Sequence, residues 1–139
     1  MSSAAIELNQ RLLQVTSHVL GQNNFLPLSM QGQSAISSTY EFKIRGTLNN
    51  YTQLDIKKLL CTPFGCVLNH QSQTPQYLHG LVTCVTHLTP ANHFDITVSP
   101  WLALLKNTSN CRIYQNKTIP DMVSGLFTEL GFTDFDFSK

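Results

Sequence analysis

The chain has 139 residues, 42% of them hydrophobic and only 12% charged. Nine Lys and Arg against eight Asp and Glu leave a formal charge of +1, so there is no basic footprint for nucleic acid or anionic lipid. Apolar and β-branched residues run throughout and exclude a disordered chain, and no apolar run reaches the roughly 20 residues of a membrane span. Low charge fits a surface that partners cover. Glu7 and Arg11 interrupt the first apolar stretch, so it lacks the core of a secretory signal. The cysteines at 61, 66, 84 and 111 are then expected to be free thiols.

Residues 12–19, LLQVTSHV, read as a strand. So do 25–31, FLPLSMQ, where Pro27 confines the strand to a sheet edge or a bulge. In 38–47, STYEFKIRGT, Tyr40, Phe42 and Ile44 share one face and Glu41, Lys43 and Arg45 the other, the pattern of a half-buried strand. Residues 54–60, LDIKKLL, are a short helix, with Thr52 and Asp55 spaced as a capping box and Pro63 blocking continuation. Strands return at 64–70 and 76–88, and Gly80 in the second marks the expected bend of a curved sheet. Residues 93–99 alternate again, with TPANH as a hairpin turn before them. Pro100 ends that strand, and Trp101, Leu102, Leu104 and Leu105 are expected to plug the open end of a barrel.

Residues 119–130 carry the helical period through Ile119, Met122, Val123, Leu126, Phe127 and Leu130. Thr118 with Asp121 predicts a capping box, Pro120 falls in the first turn, and Gly131 is placed for a left-handed stop that folds Phe132 back on Phe127. The reading is one domain, 1–139, of mainly β (α+β) class. It is an antiparallel barrel with one short and one amphipathic helix.

Chemistry-bearing residues do not converge. On a regular strand His79 and His87 share a face about 26 Å apart, at roughly 3.3 Å per residue, and Cys84 points the other way. Cys61 and Cys66 lack a second pair at zinc spacing. No G-x-S-x-G, H-E-x-x-H or phosphate loop occurs. The expectation is no enzyme, no metal and no cofactor. Arg112 and Lys117, flanking IYQN, are candidates to anchor a partner's carboxylate or a helix C-terminus, or else to be solvated.

The ordered set Tyr40-Glu41-Phe42, Leu78-His79-Gly80-Leu81-Val82, Pro100-Trp101-Leu102-Ala103-Leu104-Leu105 and Cys111-Arg112-Ile113-Tyr114-Gln115-Asn116-Lys117-Thr118-Ile119-Pro120, then Leu130-Gly131-Phe132, carries a resemblance. It resembles the N-terminal part of VgrG, the type VI secretion spike, itself similar to the baseplate hub of contractile-tailed phages, from about Phe25 to Phe137. The resemblance implies a tail-tube-like β-barrel hub. Its structural motif residues would be Tyr40, Phe42, Gly80, Pro100, Trp101, Arg112, Tyr114, Gln115, Pro120 and Gly131.

It further implies a homotrimer in a longer protein, of which this chain looks like an N-terminal fragment. The hub would cap the hexameric Hcp tube, work with baseplate proteins and effector or adaptor proteins, and be propelled with the tube to puncture target cells. Localisation would be the bacterial cytoplasm, then the exterior or a target cell. The alternatives are a phage baseplate hub or tail protein, and a small β-barrel that binds a ligand or effector. Two departures stand out. Cys61 replaces a glycine usual after the short helix, so that helix is expected to end differently. The basic stretch before the Arg112 motif is reduced to Lys106 and Asn110.

Overall fold

The computed structural model describes residues 12–21, 24–49, 56–69, 74–89 and 92–137. Six strands, β1 (Leu13–Ser17), β2 (Phe25–Gln33), β3 (Glu41–Leu48), β4 (Pro63–Leu68), β5 (Gln76–Leu88) and β6 (His93–Ser99), form one sheet in the order β1-β4-β5-β6-β3-β2. All neighbours are antiparallel. Alternation drives the assembly. Phe42, Ile44 and Leu48 of β3 and Phe94, Ile96 and Val98 of β6 line one face and are buried together with Phe64, Cys66 and Val82. Burying each such side chain contributes about 1.5–3 kcal/mol.

The sheet curls. The Phe25 and Phe64 rings meet edge to face at 6.4 Å, and Cys66 Sγ lies 3.6 Å from Met30 Sδ, although β2 and β4 are four places apart in the sheet. Among the described residues no ladder joins the edge strands β1 and β2, so the expected barrel is an open half-barrel closed by side chains. Pro27 behaves as its chemistry demands: β2 is an edge strand, and its register shifts between Pro27 and Ser29.

Several sequence expectations need correction. The short helix is a single 3-10 turn at Ile56–Leu59; Thr52 and Asp55 lie outside the described residues. β5 shifts register between Val82 and Cys84, not at Gly80. There Thr83 is the extra residue, and its hydroxyl lies 3.3 Å from the Thr97 carbonyl oxygen and 3.5 Å from Ser99 Oγ. A bulge reverses the facing of everything after it. His87 therefore pairs with Phe94 on the core face and stacks on its ring at 4.5 Å. His79, opposite Gly65, stays on the outer face with Cys84, so the two histidines do not share a face. The run after Pro100 forms a 3-10 helix, Trp101–Asn107, in which Trp101, Leu104 and Leu105 are half-buried and Leu102 is 43% exposed.

Contacts divide the chain into two compact units, Met1–Thr108 and Ser109–Lys139. The second contains α1 (Ile119–Glu129). The Phe127 ring packs edge-on against Phe135 at 5.2 Å, and Phe135 against Phe137 at 5.7 Å. No residue of α1 is fully buried, and Ile119 is 73% exposed.

Candidate functional site

Five of the ten expected motif residues lie in the first unit, and four of them converge where β5 meets the end of β6. The Tyr40 ring, just ahead of β3, stacks on Phe42 at 5.8 Å, and its hydroxyl donates to the His79 carbonyl oxygen at 2.6 Å. Burial pushes the Tyr40 phenol up from its ordinary pKa. The next residue, Gly80, runs against β6 so closely that a Cβ would lie 2.6 Å from the Ser99 carbonyl oxygen and 2.9 Å from Val98 Cγ1. Only a residue without a side chain permits that approach. Pro100 follows Ser99 in an extended conformation, φ −66° and ψ 157°, and starts the 3-10 helix with half-buried Trp101. Lys106, late in that helix, donates to Thr39 Oγ1 at 3.2 Å, beside Tyr40.

The other five lie in the second unit. Arg112 forks over the Glu129 carboxylate: Nη2 is 2.7 Å from Oε1, and Nη1 donates to Oε2. The Glu129 carboxylate raises the Arg112 pKa, and the guanidinium in turn holds the Glu129 pKa below its usual value. Glu129 is the last residue of α1, so of the alternatives for Arg112 the helix-end anchor is the one realised, within its own chain. Lys117 Nζ sits 5.9 Å from the centroid of the Tyr114 ring, a cation–π contact, and Gln115 is exposed.

The capping box forms. Thr118 Oγ1 accepts from the Asp121 N–H at 3.4 Å, and Asp121 Oδ2 accepts from the Thr118 N–H at 3.3 Å. Asp121 also accepts the Thr118 hydroxyl at 2.5 Å, which lowers its pKa. Pro120 occupies the first turn. Gly131 takes φ +83°, its N–H donates to Thr128 O at 3.0 Å, and the Phe132 N–H donates to Phe127 O at 2.9 Å. That pair of bonds satisfies the carbonyls at the helix end.

Two features escaped sequence reasoning. Arg45 and Asp95, opposite each other on β3 and β6, form a bidentate pair at 2.7 and 2.8 Å. Asp95 is only 7% exposed, and the Arg45 guanidinium holds its pKa low. Both residues fall on the outward phase of their strands, but strand order and register were needed to pair them. Burial pushes the Cys66 thiol up to about 11.

Cys61, where the missing glycine predicted a different helix end, corrects that expectation: it adopts the left-handed region all the same, φ +60°. Its N–H donates to Val82 O at 2.8 Å, while the Val82 N–H donates to Thr62 O at 3.1 Å. Two residues thus oppose one, in a G1 bulge whose first position ordinarily takes glycine. The replaced glycine was the signal, and the structure keeps the turn despite the β-carbon.

Among the described residues no group of three His, Cys, Asp or Glu lies close enough to hold a metal ion. The interior of the half-barrel is filled by side chains. An open depression of about 300 Å³ on the outer face is lined by Gln31, Gly32, Gln33, Glu41 and Lys43, with no Ser, Thr, Cys or His among them.

Residues 33–139 match the phage tail baseplate hub (GPD) family. In Pseudomonas aeruginosa PAO1, the type VI secretion system spike protein VgrG1b is 29% identical over 135 residues, 95% of this chain and 18% of its own length. VgrG1a is 30% identical over 91% of this chain and 20% of its own length, and VgrG1c is 31% identical over 77% and 15%. The chain thus spans about a fifth or less of these relatives. The solved structure of the E. coli c3393 protein superimposes with a TM-score of 0.66 at 22% identity, covering 84% of this chain and 31% of that one. That protein is described as a component of the type VI secretion system with structural similarity to the T4 bacteriophage tail proteins gp27 and gp5. A match that runs from the end of β2 through β3, β4, β5 and β6 to the capped helix makes this chain a member of the phage tail baseplate hub family.

Proposed function

We propose that this chain is the hub portion of a type VI secretion spike, a scaffold and not an enzyme. The observation that carries the reading is its similarity to VgrG spike proteins across up to 95% of its length. In this reading residues 1–139 serve as one hub-like β unit of a longer, homotrimeric spike. The trimer caps an Hcp-type tube hexamer at the baseplate, transmits the thrust of sheath contraction, and leaves the cytoplasm with the tube, carrying effector or adaptor proteins to the exterior or a target cell. The ten motif residues hold the framework in shape. A filled interior favours this over the ligand-binding barrel, which needs a ligand-sized apolar cavity.

Deleting the gene that encodes the chain and measuring Hcp-type tube protein in the medium tests the proposal. Tube protein should disappear from the medium, accumulate inside the cells, and return on complementation. Undiminished export would reject the spike role.

A further inference from the structure

Where the curled sheet brings β2 over β4, no backbone ladder joins the two strands, and one of the contacts between them is made of two sulfurs. Phe25 meets Phe64, and five residues later Met30 meets Cys66. On a regular strand, residues five apart face opposite ways. β2 turns both inward because its register slips between Pro27 and Ser29. Leu28 is the extra residue and is 58% exposed, while Phe25 lies opposite Leu48 and Met30 opposite Ile44, both buried. The bulge at the sheet edge thus aims a thioether at the seam.

Cys66 is 1% exposed, and its thiol donates to Met30 Sδ at 3.6 Å. Met30, on the edge strand, is half-buried. The two sulfurs differ in reactivity. Cysteine is oxidised through its thiolate, and burial keeps Cys66 almost wholly protonated. A thioether needs no deprotonation, because its sulfur lone pair is itself the nucleophile. Met30 is therefore the sulfur of the pair that an oxidant reaches first.

We propose that Met30 and Cys66 form a redox-sensitive clasp: hydrogen peroxide oxidises Met30 to the sulfoxide, the seam between β2 and β4 opens, and Cys66 becomes reachable from water. The thioether sulfur attacks one peroxide oxygen, and the O–O bond breaks as the S–O bond forms. Sulfur loses two electrons and the peroxide gains them. The proton on the transferred oxygen passes to the departing hydroxide, which leaves as water. The product replaces a flexible apolar side chain with a polar, chiral one. Met30 packs against a buried cluster whose one hydrogen-bond donor side chain is the Cys66 thiol, a weak donor. Parting β2 from β4 breaks no backbone ladder, so the seam is where the sheet yields.

The test treats the full chain with hydrogen peroxide and locates sulfoxides by peptide mass spectrometry. Melting and iodoacetamide labelling of Cys66 at pH 8 are then recorded. Met30 sulfoxide should lower the melting temperature by about 4–8 °C. Cys66 labelling should quicken by up to about a hundredfold, as its pKa falls from about 11 toward the ordinary 9.0. Methionine sulfoxide reductases A and B should reverse both changes. Met30→Leu should melt close to the parent and keep Cys66 protected after peroxide, although Met1 and Met122 remain oxidisable. Met30→Gln, which places a permanent polar group there, should label at Cys66 without peroxide. The proposal is overturned if protein carrying Met30 sulfoxide melts with the unoxidised chain and keeps Cys66 protected. It is equally overturned if Met30 stays a thioether while Met122 is oxidised, if Met30→Leu responds to peroxide as the parent does, or if Met30→Gln keeps Cys66 protected.

Discussion

Replacing Gly80 by alanine probes the tightest contact of the sheet. The new Cβ would lie 2.6 Å from Ser99 O, 2.9 Å from Val98 Cγ1 and 3.0 Å from Ser99 C. Two of those three atoms are backbone, so no side-chain rotation relieves the clash. β5 and β6 must separate locally, and both are central strands with neighbours on each side. The separation also strains the Tyr40 bond to His79 O, one residue away. Overpacking of this kind costs about 1–3 kcal/mol. For a unit of this size that is a fall in melting temperature of about 4–12 °C.

A matched control is Gly125→Ala on α1. Nothing lies within 4 Å of its Cβ position, and it sits mid-helix. It should stabilise the helix by about 0.5–1 kcal/mol. Far-ultraviolet circular dichroism during heating, read at the β and helix wavelengths, separates the two effects. A Gly80→Ala protein melting within about 2 °C of the parent, on the same scale, would refute the close-approach argument.

Cys61→Gly should raise stability by about 0.5–1 kcal/mol, because relief of the left-handed strain outweighs the extra freedom of an unfolded glycine; urea unfolding checks it, and a lower midpoint would show that the thiol contributes packing. Iodoacetamide at pH 8 should label the exposed Cys61, Cys84 and Cys111 in the native protein and spare Cys66, with all four labelled in urea. With its pKa near 11, Cys66 holds only about a thousandth of its thiol as thiolate at that pH, so rapid native labelling of four sites by mass spectrometry would contradict its burial.

What was legible in the sequence is what local rules decide. Period-two alternation located β3 and β6 and their core faces, and the Thr118–Asp121 box with Gly131 located both ends of α1. Pro27 announced an edge or a bulge, and β2 has both. What was hidden depends on a partner strand. The extra residue at Thr83 sets its hydroxyl beside a carbonyl and a hydroxyl of β6, and nothing in QYLHGLVTCVTHL alone marks it. That one residue moved His87 to the core face. The Arg45–Asp95 pair needed the β3–β6 register, which no spacing encodes.

The residues that carry the family resemblance share a physical character that bears on function. Gly80 clears a carbonyl, Tyr40 ties a hydroxyl to one, and Pro100, Pro120 and Gly131 set backbone angles at element ends. Arg112 clamps the last residue of α1, and Phe42 fills the core. Each acts on backbone geometry or packing, and none of these seven lines the open depression beside β2. Catalytic constellations are organised the other way, with reactive groups converging on a cavity and the framework residues behind them. Seven of the ten residues that carry the resemblance thus act within the framework, which is what the scaffold proposed above requires of them.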